Sequence, residues 1–279
     1  MKPGRSSRVK EGKNRKPIGV FDSGLGGLTV VREIRKQLPR ENIVYFGDIA
    51  RLPYGIKSKA QIINFSLENV SFLLRSKVKA IVIACNSSSS AAFEVLKERS
   101  PVPVIDVIEP AAKLASAKSR AGRIGLIATK ATIDSRAYEK ALKKLNRDIK
   151  VFAAACPLFV SLVEEGWMKH PVTAQVVKQY LSPLKGKNVD TLILGCTHYP
   201  LLRSSIKRFV GKRVKLIDSA QPSVKELASL LERNGLSYTR ARRGKLAVYL
   251  SDRPGNFKKI GERFLGEKIR RFSVVRVPA

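Results

Sequence analysis

The sequence predicts an α/β protein: two similar α/β domains with largely parallel sheets and a cleft between them. Three observations carry this expectation. Short apolar runs alternate with segments of helical periodicity. The pattern recurs weakly in the second half of the chain. The length of 279 residues suits two domains of about 100–200 residues each.

Residues 1–16 (MKPGRSSRVKEGKNRK) carry seven basic residues against one glutamate and no large apolar side chain except Val9. Such a segment buries too little to offset its ordering entropy and reads as a flexible basic tail. From Pro17 onward IGVF (18–21), IVYF (43–46), AIVIA (80–84), VPVID (102–106), IGLIA (124–128) and TLILG (191–195) read as buried strands. Between them Ile63, Leu67, Val70 and Leu74 share one face of a helix, and Tyr138, Leu142 and Leu145 form a similar stripe. In sheets of this kind ligands sit beyond the carboxyl ends of the strands.

The internal repeat is what sharpens the reading. VKAIVIACNS (78–87) aligns without gaps with VDTLILGCTH (189–198), an offset of 196 − 85 = 111, and PIGVFDS resembles RIGLIAT at an offset of 124 − 18 = 106. Each half then delivers a cysteine at the carboxyl end of a strand, placing Cys85 and Cys196 on opposite walls of one cleft. Each is followed by small polar residues and what reads as a helix start, a setting that favours thiolate. Cys156, in the apolar run AAACPLF, reads as a buried core residue.

Composition removes several classes. No apolar run approaches the roughly 18–20 residues of a membrane helix, and no apolar stretch follows the basic N-terminus. Three widely spaced cysteines make no disulfide framework, so reduced thiols in the cytoplasm are expected. No set of three or four Cys and His has zinc spacing, so no metal is expected. The balance of 54 basic and 22 acidic residues, +32, allows nucleic acid as a partner only through non-specific charge. A cysteine hydrolase using Cys85 as nucleophile and His198 as base is an alternative, but it leaves Cys196 unexplained.

Two further segments bear on chemistry. DSGLGG (22–27) follows the first strand; it lacks the third glycine of a dinucleotide fingerprint, and reads either as a carboxylate cradle or as a tight turn. Asp22 at its head is placed to orient a neighbouring base, and PYG (53–55) is a turn. Glu109 and Glu164 are candidate partners for His198 or the thiols.

Taken together, IGVFDSGLGGLTVVREI, GDIARLPYGIKS, ACNSSSSAA, VIEPAAKLA, TIDSRAYEKAL, CPLFVSLVEEGW, LILGCTHYPLL and LIDSAQPS resemble the cofactor-independent aspartate/glutamate racemase superfamily. The DSGLGGLTV and GCTHYPLL runs are most similar to its glutamate branch. They run in order from about Ile18 to Asp218. The resemblance implies two α/β domains with the active site between them, residues 17–108 plus 219–279 forming one and 109–218 the other. It implies that Cys85 and Cys196 are the acid/base pair, assisted by Asp22, Glu164 and His198. Asp22, Ser23, Tyr54, Gly55, Asn86, Ser87, Thr197 and His198 match amino-acid-binding positions. It further implies glutamate as substrate, no cofactor, a homodimer, and supply of D-glutamate to peptidoglycan. The alternatives are a racemase of aspartate or another amino acid, or a regulatory or nucleic-acid-binding homologue. Ser87 stands where threonine is usual and Ser88 where alanine is; Ala111 and Ala128 replace frequent glycines, and Ile49 a common threonine. A hydroxyl survives at Ser87, so these departures bear on rate and fine specificity.

Overall fold

A computed structural model describes residues 14–238, 241–253, 255 and 257–276. The expected tail therefore lies outside the described residues up to position 13. Its last residues are tied down: Lys79 Nζ donates to Asn14 O at 2.9 Å and Asn42 Nδ2 to Arg15 O at 3.4 Å.

The first half runs β1 (Ile18–Asp22), α1 (Leu28–Gln37), β2 (Ile43–Gly47), α2 (Lys59–Arg75), β3 (Ala80–Ile83), α3 (Asn86–Arg99), β4 (Val104–Ile105) and α4 (Ile108–Lys118). The chain continues through β5 (Arg123–Ala128), α5 (Lys130–Asp134), α6 (Ala137–Leu145), β6 (Lys150–Ala155), α7 (Leu158–Glu164), α8 (Pro171–Leu181), β7 (Thr191–Gly195), α9 (Arg203–Val210) and β8 (Lys215–Asp218). It ends with α10 (Ala220–Arg233), β9 (Leu246–Leu250), α11 (Phe257–Leu265) and β10 (Ser273–Val274).

Every strand pairing is parallel. One sheet has the order β10-β9-β2-β1-β3-β4 and the other β6-β5-β7-β8. The chain thus leaves the first sheet after β4, builds the second, and returns to the first with β9. The central strands β1, β2, β3 and β7 are buried throughout, as their unbroken apolar runs require of strands covered on both faces. A single apolar cluster joins the two sheets, running from Val20 and Leu28 through Phe264 to Phe159, Leu194 and Tyr199. Cys156 is fully buried within it, as the sequence led us to expect. Among the described residues no helix is long and apolar enough to cross a membrane.

The structure corrects several local readings. The run 102–106 contributes only the two residues of β4, and the strands β6, β8, β9 and β10 were not read at all. β6 and β8 are edge strands: β6 is exposed or half-buried throughout, and β8 buries only Ile217 of its four residues. On α2 the buried line is Ile62, Ser66, Asn69, Val70 and Leu73, rotated from Ile63, Leu67 and Leu74, which pack at the margin of the core. On this face Asn69 Nδ2 donates to the buried Tyr54 hydroxyl at 3.1 Å, and Ile62 packs with Tyr54 and Cys85. Leu145, the end of the other stripe, is exposed.

At the amino-terminal side of the first sheet, Lys79 and Glu41 form a buried ion pair at 2.5 Å, with side chains 1% and 4% exposed. Lys79 Nζ also donates to Leu236 O, and Glu41 Oε1 accepts from Tyr238 N–H. Removing one member strands the other charge, so Lys79→Met is expected to destabilise by about 3–5 kcal/mol in urea unfolding. The double variant Lys79→Met/Glu41→Leu is expected to regain much of that loss.

Candidate active site

Cys85 caps the amino end of α3 two residues beyond the end of β3, and Cys196 directly follows β7. They are 5% and 7% exposed and line the same narrow cleft. The first sheet also supplies Ser23, Tyr54, Gly55, Asn86 and Ser87, and the second supplies Thr129, Thr197 and His198. The structure therefore brings nearly all the sequence-derived candidates to one place. The remaining space measures about 20 Å³, room for about one water.

The two thiols have different neighbours. Cys85 Sγ donates to Ser23 Oγ at 3.6 Å, and the Ser88 backbone N–H also faces its sulfur. Burial, with the nearby Asp22 carboxylate second, pushes the Cys85 thiol up to about 11. This corrects the expectation that the helix terminus would favour thiolate there: burial and Asp22 outweigh the N–H groups of α3. Cys196 Sγ lies 3.9 Å from His198 Nδ1, and His198 Nε2 lies 2.6 Å from Glu164 Oε1. Burial works to lower the His198 pKa, but its bonds with Cys196 and Glu164 prevail and hold it at about 10. The segment after Cys196 is not an α-helix start; it is a 3-10 turn over Tyr199–Leu202.

Asp22 lies beneath the cleft, fully buried. Its Oδ2 accepts from Gly24 N–H at 3.0 Å, and its Oδ1 accepts from Thr197 Oγ1 at 3.5 Å, which ties the loop of one half to the turn of the other. Burial raises its pKa, with His198 pulling the other way. The Tyr54 hydroxyl is committed to Asp48 and Asn69, so Tyr54 offers the cleft its ring and backbone. Glu109 is exposed in the first turn of α4 and takes no part, contrary to its sequence-based candidacy.

The glycine loop also becomes intelligible. A Cβ on Gly26 would stand 2.1 Å from Thr197 Oγ1, and one on Gly55 would stand 2.6 Å from Thr129 Cβ. Both glycines are where one half comes closest to the other, which is a requirement of close approach. Further bonds span the same boundary: Ser87 Oγ and Thr129 Oγ1 at 2.9 Å, and Tyr138 OH to Asn86 Oδ1 at 2.7 Å. Thr129 is the cleft residue that sequence reading missed. The repeat held its signal, since the 106-residue offset that aligns IGVFDS with IGLIAT pairs Thr129 with Ser23.

This arrangement suits proton transfer on two faces of one carbon. A neutral thiol on one wall can donate, and on the other a protonated imidazole presents positive charge to a second sulfur. Because His198 titrates higher here than its ordinary 6.5, it stabilises the fold below that value and the contribution fades as pH rises through about 10. Cys85 acts in the same sense between its ordinary 9.0 and about 11. Glu164→Gln removes the carboxylate that holds His198 up. It is expected to move the alkaline limb of the pH–activity profile to lower pH. Activity should also fall about tenfold, in keeping with loss of a charge-assisted hydrogen bond worth about 1.5–3 kcal/mol. Among the described residues no group of three His, Cys, Asp or Glu is arranged to hold a metal ion.

Comparison with known proteins gives consistent findings. The family model for Asp/Glu/hydantoin racemases matches residues 18–227. A glutamate racemase of Neisseria meningitidis is 49% identical over 262 residues, covering 94% of this chain and 97% of its own. One from Geobacter metallireducens is 47% identical over 254 residues, covering 91% and 94%. Among solved structures, the glutamate racemase of Francisella tularensis in complex with D-glutamate superposes with a TM-score of 0.89 at 43% identity, covering 95% and 98% of the two chains. A glutamate racemase isoform from Bacillus anthracis gives 0.91 at 42% identity, covering 95% and 99%.

Proposed function

Since the chain belongs to the Asp/Glu/hydantoin racemase family and is an amino-acid racemase, we propose that it interconverts L- and D-glutamate by proton transfer at Cα between Cys85 and Cys196, without a cofactor. The observation that carries the reading is the pair of cysteines at the carboxyl ends of β3 and β7 lining one cleft. The choice of glutamate rests on the relatives named above, one of which was solved with D-glutamate. On the family resemblance of its sequence motifs we further propose that it works as a cytoplasmic homodimer supplying D-glutamate to peptidoglycan.

For the enantiomer whose Cα–H faces Cys196, the reaction requires Cys85 as the thiol and Cys196 as the base, with the protonated His198 beside it. The Cys196 thiolate takes the Cα proton from the enantiomer whose C–H faces it, forming a thiol and leaving the electron pair on Cα. Cys85 then delivers its proton to the opposite face and becomes the thiolate. One proton has entered the carbon and one has left, so the product is the mirror image and the two sulfurs have exchanged states. The opposite enantiomer meets the pair in that exchanged state. Before another turnover in the same direction, a proton must return to Cys85 and leave Cys196, which His198 assists. The α-proton is very weakly acidic, so charge developing on Cα and its carboxylate needs fixed donors. The Ser87 and Thr129 hydroxyls, at the amino end of α3, are the donors we assign to this role.

The test is proton NMR of each glutamate enantiomer with the reduced protein in D₂O and no added cofactor. Loss of the Cα proton signal with appearance of the opposite enantiomer on chiral analysis is the expected result. Turnover of aspartate or another amino acid in place of glutamate would overturn the substrate choice. Silence with all amino acids would overturn the reaction.

A further inference from the structure

We propose that Tyr138 is a positioning residue for this reaction: it reaches across the boundary between the halves and fixes the Asn86 side-chain amide with its NH₂ turned into the cleft, where it receives a carboxylate oxygen of the substrate. The inference rests on the amino-acid substrate proposed above and adds a recognition device to it.

The geometry is specific. Tyr138, on α6 of the second half, is fully buried in the apolar core made with Ile108, Ala111 and Leu142. Its hydroxyl hydrogen finds an acceptor in Asn86 Oδ1 at 2.7 Å, and among the described residues no other partner for it is present. Asn86 opens α3 in the first half, is 2% exposed and lines the cleft beside Cys85. Its Nδ2 is buried and has no hydrogen-bond partner.

An amide side chain has one accepting end and one donating end, and only its surroundings decide which end faces where. Burial, with Asp106 next, holds the Tyr138 phenol well above its ordinary pKa, so it remains a donor at any working pH. The phenol hydrogen has no other acceptor among the described residues, so it takes the amide oxygen; the reverse arrangement would leave it unbonded in the core. The flipped amide would set Nδ2–H against the phenol and place a carbonyl oxygen towards the cleft, where it would repel a carboxylate. Tyr138 therefore selects the orientation that leaves two N–H bonds for an anion, at the amino end of α3. Buried polar groups are almost always bonded, so an orphan amide nitrogen in a ligand cleft marks a place where a ligand atom completes the bonding.

The contact also couples binding to closure. Tyr138 holds Asn86, and Thr129 holds the next residue, Ser87, both from the opposite half. The carboxylate site is complete only when the halves are together.

Tyr138→Phe keeps the ring and deletes the hydroxyl. We expect KM for both glutamate enantiomers to rise about tenfold while kcat changes less than about threefold, a loss of one binding hydrogen bond. Asn86→Ala is expected to give a rise of similar size, and the double variant to be no worse than Asn86→Ala alone, because Tyr138 acts through Asn86. A merely structural role would lower stability and active fraction with KM unchanged, and would add to the Asn86→Ala effect. Asn86→Asp retains the acceptor for Tyr138 but turns an oxygen towards the carboxylate, so its KM is expected to rise more steeply than that of Asn86→Ala. In protein labelled with ¹⁵N-asparagine, Tyr138→Phe should move the Asn86 side-chain amide resonances. Unchanged KM in Tyr138→Phe, an additive double variant, an unmoved amide resonance, or unimpaired binding in Asn86→Asp would each overturn the proposal. Wild-type protein that fails to turn over glutamate would instead overturn the substrate reading, and the amide resonance would still report on the contact.

Discussion

Cys85→Ala and Cys196→Ala are each expected to lose about 10²–10⁴-fold in kcat/KM in both directions, the range associated with losing a positioned proton-transfer group. Both residues are almost fully buried, and each change deletes one sulfur, so the stability cost should stay near 1 kcal/mol. Loss of turnover with a folded protein by circular dichroism would then separate chemistry from folding. A sharper readout is available in D₂O. With one thiol gone, the other can still take and return a proton on its own face of Cα. Each variant should therefore wash out the Cα proton of one enantiomer only, and the two variants should choose opposite enantiomers. Normal turnover in either variant, or both variants exchanging the same enantiomer, would sink the two-face mechanism.

The thiols were legible because their placement is local: a buried apolar run, a cysteine at its end, and a second copy 111 residues later. Their properties were not. A helix terminus predicts a lowered thiol pKa at Cys85, yet the structure raises it to about 11, because burial and Asp22 act through tertiary packing that no neighbour in sequence reports. Tyr138 shows the same limit. Its apolar stripe placed the ring in a core, but its hydroxyl finds Asn86 52 residues away and in the other half. Thr129 was missed because a threonine carries no chemistry by itself; it matters through Ser87. The edge strands are harder to read for a related reason: β6 is rich in alanine and β8 is only four residues long, so neither carries the Val/Ile/Leu-rich run of a central strand.

The side-chain contacts among these share a location. Asp22–Thr197, Ser87–Thr129 and Tyr138–Asn86 all cross from one half to the other. Each half alone obeys the rules of strand, turn and helix, and those rules recover it well. The site, by contrast, is made by the fit between halves. Cys196 depends on His198 and Glu164, and His198 in turn packs edge-on against Phe264 of α11, with ring centroids 5.1 Å apart.

Gly26→Ala tests the fit directly and is expected to cost about 10²-fold in kcat/KM, the penalty for displacing reacting groups by about 1 Å. The added Cβ would stand 2.1 Å from Thr197 Oγ1 and 2.8 Å from both Thr197 Cβ and His198 Nδ1. None of these atoms is the free end of a long side chain. Thr197 and His198 are 5% and 2% exposed, and His198 is held on its far side by Glu164. Relief must come from moving the loop away from the turn, which separates the halves and shifts His198 relative to Cys196. Stability need not follow, because the contact lies at the boundary of the halves and the core of each stays intact. Gly255→Ala is the control: its Cβ would meet nothing within 4 Å, and its activity should match wild type. Activity near wild type in Gly26→Ala would mean that the loop and the Thr197–His198 turn do not meet during turnover, and that closure is looser than the structure describes. A loss confined to kcat/KM, with an unchanged unfolding midpoint, would place the glycine among the requirements of the site and outside those of the fold.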